Sequence, residues 1–233
     1  MKDQYFGDAG DYGKYGLLRF LGRNEILIGV HWYLTPPDGS ADGKFISYLS
    51  DKKLEWYDPV LFHTLKTMVW EETTRSVACF GEKNLIPGAT YYYDFVPSNV
   101  NCLRDLWHKN ALDLFGDREL IFMDPDNGLI KKGFRRSYKQ KFCFSSEVAD
   151  FYNAGKNVVY YCSKGRRTHE QWLAAKTVMK QELPDAHIRV LTYHKGTQRS
   201  YVFILHPTEV SRYHCLLNEF LQKWNPLFSD DLV

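Results

Sequence analysis

Two carboxylates and an amide fall within four residues at Asp124-Pro125-Asp126-Asn127, directly after the apolar run Leu120-Ile121-Phe122-Met123. A buried strand that ends in such a cluster holds acceptors rigidly at a sheet edge. There they accept protons from a bound group or ligate a hard cation. The same residues, followed by Gly128, also make a good turn, because Asp and Asn tolerate turn conformations and Gly takes positive φ. Asp124, Asp126 and Asn127 are therefore the first candidates for chemistry. The second set is Asp8-x-x-Asp11-x-x-Lys14, with Tyr5, Tyr12 and Tyr15 interleaved. On a helix this spacing puts Asp11 and Lys14 on one face, either as part of a site or as a capping carboxylate and a solvated lysine.

The third candidate is the basic stretch from Lys131 to Lys141. It holds Lys131, Lys132, Arg135, Arg136, Lys139 and Lys141, two aromatics and no acid. With Lys164, Arg166 and Arg167 at the exit of a later strand, it gives one rim of any cleft there a positive charge. Cations contact phosphates and aromatics stack on bases, so nucleic acid is the expected partner.

The elements that must position these residues alternate. A helix is expected from Asp11 to Asn24, then a buried strand within Glu25 to Leu34 that runs into Thr35-Pro36-Pro37-Asp38-Gly39. Residues 44 to 70 read as two helical pieces interrupted at Asp58-Pro59. A strand over Ala89 to Val96 and a helix from Asn101 to Leu114 precede the apolar strand that ends at Asp124. Next come a helix around Ser146 to Ala154, a strand from Asn157 to Cys162 and one long helix from Thr168 to Leu183. Strands over His187–Tyr193 and Tyr201–His206, joined by six turn residues, form an antiparallel hairpin, and a helix over Val210 to Trp224 closes the chain. Such alternation predicts one α/β domain over residues 1–233, Rossmann-like, with a mostly parallel sheet. Ligands of open α/β sheets bind beyond the carboxyl ends of the strands, where the polar loops at 35–39, 124–127 and 163–167 stand. A C-terminal antiparallel hairpin on such a sheet is the pattern of class I methyltransferase folds.

Composition excludes much else. Of 233 residues, 44 % are hydrophobic and 25 % charged, which rules out disorder, and 30 basic against 28 acidic residues leave a net charge of +2 that names no partner. No apolar run approaches the roughly 20 residues that cross a bilayer. The polar, Gly-rich start resembles no secretory leader, so a soluble cytoplasmic protein without a membrane partner is expected. Five cysteines stand far apart without a C-x-x-C, and eight histidines show no H-E-x-x-H. Disulfide frameworks, zinc knuckles and His-metal hydrolysis are thereby disfavoured, and the absence of G-x-S-x-G and Walker sequences argues against serine acyl transfer and P-loop chemistry.

At these residues the chain resembles the RlmJ-type adenine-N6 methyltransferases of large-subunit ribosomal RNA. That family opens with N-x-x-D-x-x-K, where Asp8, Asp11 and Lys14 stand at the same spacing with Asp in place of Asn, and carries D-P-P-Y after a buried strand, where this chain has Asp124-Pro125-Asp126-Asn127. The strand Asn157 to Cys162 and the closing hairpin follow in the same order. The resemblance implies methyl transfer from S-adenosylmethionine to an exocyclic amine, with Asp124 and the Pro125 carbonyl accepting the two amine hydrogens. It implies a cofactor end shaped by Asp11 and Lys14 and the loop of Thr35, Asp38 and Gly39, with Asp94 the candidate for the ribose hydroxyls. Asp126 stands where the family has a second Pro, and Asn127 where it has a stacking aromatic. The loop after the first strand lacks D-x-x-x-G-x-G. Two other functions follow from those departures. Asp124-x-Asp126, with Glu147 or Asp11, would hold Mg²⁺ for phosphodiester cleavage or for glycosyl or nucleotidyl transfer. A methyltransferase-like chain without catalysis would serve as a binding protein or inhibitor of nucleic acid or a protein partner. All enzymatic versions require Asp124 and Lys14 to open onto one hollow.

Overall fold

The computed structural model describes residues 1–37, 39, 43–98, 101–131 and 139–231. Helix α1 (Ala9–Arg23) begins where Asp8 Oδ1 accepts from the backbone N–H groups of Gly10 (2.7 Å) and Asp11 (2.9 Å), satisfying two of the free donors at its start. It leads into β1 (Ile28–His31). Short helical pieces follow, α2 (Lys52–Glu55), α3 (Pro59–Lys66) and α4 (Val77–Glu82), then β2 (Thr90–Tyr92), α5 (Asn101–Leu114) and β3 (Leu120–Met123). A ribbon of β4 (Leu129–Ile130) and β5 (Cys143–Phe144) precedes α6 (Ser145–Asn153) and β6 (Asn157–Ser163). The chain ends with α7 (His169–Thr177), α8 (Met179–Glu182), β7 (His187–Tyr193), β8 (Arg199–Leu205), α9 (Val210–Lys223) and β9 (Phe228–Asp231).

Seven strands form one sheet in the order β2-β1-β3-β6-β8-β7-β9. The first four are mutually parallel, and β8 runs antiparallel to both β6 and β7. The chain steps from β1 outward to β2 and then returns to the opposite side of β1 as β3, so the order reverses there, the place where open α/β sheets hold ligands. β3 is central and buried along its whole length. Its residues alternate between two cores: Leu120 and Phe122 pack with α1 and α9, whereas Ile121 and Met123 pack with α5 and α6. Burial on both faces explains why β3 reads as an unbroken apolar run.

Helix α1 lies unusually close to the hairpin of β7 and β8. Of three glycines one turn apart, Gly10 and Gly13 face it, and Gly16 faces Trp224 at the end of α9. A β-carbon on Gly10 would overlap the Arg199 guanidinium, one on Gly16 the Trp224 ring, and one on Gly13 would stand 2.7 Å from the Tyr193 ring. Each helical glycine costs about 1 kcal/mol against alanine, and close approach is what it provides in return.

The element order follows the sequence, with corrections. The expected helix over Thr168 to Leu183 divides at Val178 into α7 and α8, and the hairpin turn has five residues because Arg199 already pairs with Tyr193. Residues 44–70 hold a 3-10 turn (Ser47–Ser50), α2, α3 and a π turn (Thr67–Glu71), with Asp58 capping α3 through the Leu61 N–H at 3.0 Å. Strand β9 was not foreseen, since Phe-Ser-Asp-Asp carries no β pattern. Its carboxylates are held from outside it: Asp231 Oδ2 accepts from Thr192 Oγ1 (2.7 Å) and Lys176 Nζ (2.6 Å), and Asp230 Oδ2 from Arg189 (2.8 Å). Among the described residues no helix is long and apolar enough to cross a membrane.

Candidate active site

Asp124 leaves the end of β3 with its backbone N–H donating to the His31 carbonyl of β1 at 2.9 Å, which fixes the first residue of the loop to the sheet. Its Oδ2 accepts from Lys14 Nζ at 2.7 Å, and the same ammonium lies 2.7 Å from Asp11 Oδ1. Asp11 is oriented in turn by Tyr15 Oη (3.0 Å) and the Gly7 N–H (3.1 Å), both donating to Oδ2. Lys14 Nζ also stands 5.2 Å from the ring centres of Trp32 and Tyr15. All three charged groups are buried. Burial opposes the ammonium, but Asp11 and Asp124 outweigh it and raise the Lys14 pKa above its ordinary value. Burial likewise pushes the Asp124 carboxyl upward, against the pull of Lys14 and the Met1 amine. The α-amino group of Met1 lies 2.7 Å from Asp126 Oδ1 and donates to the carbonyl of Tyr33 at 2.9 Å.

These residues line a cleft of about 710 Å³ at the carboxyl ends of β3 and β6. Helix α1 contributes Ala9, Gly10, Asp11 and Lys14, with Asp8 at its cap. The loop after β3 contributes Asp124 to Asn127, β6 adds Tyr161 and Ser163, and the hairpin adds Arg199. Tyr5 and Phe45 supply further aromatic surface. The walls thus combine buried carboxylates, two deep cations and aromatic faces, a set suited to a ligand that carries both signs of charge and a ring.

Of the residues singled out from the sequence, Asp124, Pro125, Asp126, Asn127, Asp11 and Lys14 meet in this cleft. The expected cofactor loop does not join them. Thr35 is buried outside the cleft, where its N–H donates to the Met1 carbonyl at 3.0 Å. With the Met1 amine on Tyr33, the end of β1 is closed by the chain's own first residue, and the open space lies instead over β3, β6 and β8. Gly39 is exposed and apart from the cleft, and Asp38 lies outside the described residues. Asp94 is exposed beyond β2, where its carbonyl accepts from Trp107 Nε1 at 3.0 Å, and it does not line the cleft.

Glu147, offered as a metal ligand, faces elsewhere: Arg104 Nε (2.6 Å), Tyr33 Oη (2.8 Å) and the Phe144 N–H (2.8 Å) all donate to it. Among the described residues no three His, Cys, Asp or Glu side chains gather to hold a metal ion. Lys131, Arg166 and Arg167 border a second cavity of about 670 Å³, floored by Leu129, Ile130 and Phe142, which shares Asn127 and Ser163 with the first. Arg167 donates to the Asn127 carbonyl at 2.8 Å and so braces the loop after β3. Lys164 donates to Gln198 Oε1 at 2.9 Å across the mouth of the hairpin. Lys132, Arg135 and Arg136 lie outside the described residues.

Arg199 and Tyr161 were missed. The available signal was the three-residue glycine spacing of α1, which marks a helix face pressed against something large. Comparison with family models, with curated proteins and with solved structures finds no match.

Proposed function

We propose that this chain is an S-adenosylmethionine-dependent methyltransferase that acts on an amino group of nucleic acid. The observation that carries the proposal is the joint opening of Asp124 and Lys14 into one cleft at the end of the central strand. The sheet adds support, since four parallel strands continued by an antiparallel hairpin have the arrangement expected of a class I methyltransferase.

The donor set of the cleft fits such a cofactor. Asp126 Oδ2 and Arg199 Nε are buried there without a partner among the described residues, one an acceptor and the other a donor. Tyr5, Phe45 and Tyr161 add aromatic lining beside which a ring would sit. When bound, S-adenosylmethionine supplies an electrophilic methyl group on a sulfonium. The chain's own residues prepare the acceptor. Asp124 accepts one hydrogen of the amine and the Pro125 carbonyl the other, so the nitrogen lone pair is directed at the incoming methyl carbon. Lys14 holds the Asp124 carboxylate in one orientation, and its charge opposes the upward push of burial. The cations of the neighbouring cavity, Lys131 and Arg166, stand where a polymer's phosphates would cross the rim.

Transfer of labelled methyl from S-adenosylmethionine to RNA and to DNA, compared between the wild type and Asp124→Asn, tests this. Loss of one positioned polar contact to the reacting group lowers turnover by about a hundredfold or more. Equal transfer by Asp124→Asn, or none by the wild type on either nucleic acid, contradicts the proposal.

A further inference from the structure

Buried arginines in this chain are paired with care. Arg19 Nε donates to Asp58 Oδ2 at 2.9 Å, Arg104 Nε to Glu147 Oε1 at 2.6 Å, and Arg189 Nη2 to Asp230 Oδ2 at 2.8 Å. Arg199 departs from this rule. Its side chain is 13 % exposed, and its nearest carboxylate oxygen, Asp8 Oδ1, is 3.7 Å from Nη1, beyond hydrogen-bond reach. That oxygen is already occupied by the Gly10 and Asp11 N–H groups. Arg199 Nε is sealed from solvent with no partner among the described residues. A deeply set guanidinium without an acceptor is costly, and a group of this kind calls for an explanation. The chain has also made room for it, because any side chain at Gly10 would occupy the guanidinium's place.

We propose that Arg199 is the anion anchor of the cleft and takes the carboxylate at the amino-acid end of the ligand. A planar guanidinium binds a carboxylate through two parallel N–H bonds, which supplies both energy and direction. Asp126, whose Oδ2 lacks a partner among the described residues, lines the same cleft and gives the ligand's ammonium an acceptor. The cleft is thereby complementary to a zwitterion rather than to a simple anion. The assignment rests on S-adenosylmethionine as the ligand and adds to it a residue and a specificity: the amino-acid end is read at the hairpin, by a strand that carries none of the methyl-transfer residues.

The test is calorimetric titration of the wild type, Arg199→Met and Arg199→Lys with S-adenosylhomocysteine and with methylthioadenosine, which lacks the amino-acid end. Truncating one partner of a deeply set charge pair weakens binding by about thirtyfold or more. Arg199→Met is expected to lose that factor for S-adenosylhomocysteine and less than about threefold for methylthioadenosine, with Arg199→Lys between. Because the guanidinium makes no hydrogen bond among the described residues and only a 3.7 Å ion pair with Asp8 in the free chain, Arg199→Met is also expected to melt close to the wild type without ligand. A structural arginine would lower the melting temperature.

Unchanged S-adenosylhomocysteine affinity, or equal losses for both compounds, overturns the assignment. If the wild type binds neither compound, the methyltransferase proposal fails by itself. The anchor is then judged by melting-temperature shifts with adenosine monophosphate. A shift in the wild type that is absent from Arg199→Met keeps Arg199 as an anion site, and no difference between the two removes it.

Discussion

Replacing Lys14 by methionine keeps the length of the side chain and removes the charge that two buried carboxylates share. In the wild type the ammonium stands 2.7 Å from Asp11 Oδ1 and 2.7 Å from Asp124 Oδ2, and each of the three residues is no more than 4 % exposed. Removing one partner of a buried pair costs about 3–5 kcal/mol, because the remaining charge stays buried without compensation. Tyr15 and the Gly7 N–H still serve Asp11, so the larger share of the loss falls on Asp124. For a chain of this size the loss corresponds to a fall in melting temperature of roughly 6–20 °C. The pH dependence has a definite sign. In the variant, burial without the opposing cation lifts the Asp124 carboxyl pKa further above that of the unfolded chain. The folded state then binds that proton more tightly, and the penalty, full near pH 7, shrinks as acidification neutralises Asp124. Urea unfolding of both proteins at pH 7 and at pH 5 measures this. Adding Asp124→Asn to Lys14→Met is expected to recover about 1 kcal/mol or more at pH 7. A variant within about 1 kcal/mol of the wild type at pH 7, or a deficit that grows on acidification, refutes the buried triad.

Two further predictions concern the frame around the site. His31 is enclosed by Trp107 and Tyr33 at ring-centre distances of 4.4 and 4.5 Å, and neither of its ring nitrogens has a partner among the described residues. Burial holds its pKa well below 6.5. The unfolded chain takes up a proton first as the pH falls through that value, so stability declines below it by on the order of 1.4 kcal/mol per pH unit for this group. His31→Phe is expected to flatten that part of the profile in denaturation between pH 7 and pH 5, and an unchanged profile would exclude His31 as its source. Gly13→Ala gains about 1 kcal/mol of helix propensity but drives a methyl to 2.7 Å from the Tyr193 ring, an overpacking cost of about 1–3 kcal/mol. Thermal melting should show a net loss, and a stabilised variant would mean that α1 does not rest on the hairpin.

Legibility in the sequence followed the physics of each element. β3 and β6 are apolar runs bounded by polar turns, and burial on both faces leaves that signature whatever surrounds them. α1 was legible from Asp11 onward in its apolar face of Leu17, Leu18 and Leu21, and Asp11 with Lys14 on one helix face followed from spacing alone. β9 was hidden because its pairing depends on Lys176, Thr192 and Arg189, residues that are remote in sequence. The position of the cleft was hidden for a similar reason. Polar loops after β1, β2 and β3 look alike in sequence, but Met1 closes the end of β1 through main-chain hydrogen bonds, and main-chain bonds leave no mark on residue type. Thr35, Gly39 and Asp94 accordingly read as cofactor contacts and stand outside the cleft. Arg199 reads as the last residue of a polar hairpin turn, and only the glycine that yields to it betrays its depth.

Hydrogen exchange of the backbone with and without S-adenosylhomocysteine bears most directly on the cleft as the place where ligand and acceptor meet. Protection should rise at residues 8–14, 124–127, 161–163 and 196–199, with the loop after β1 and the residues around Asp94 unchanged. Protection confined to 35–39 and 94, or none anywhere at saturating ligand, would contradict the account.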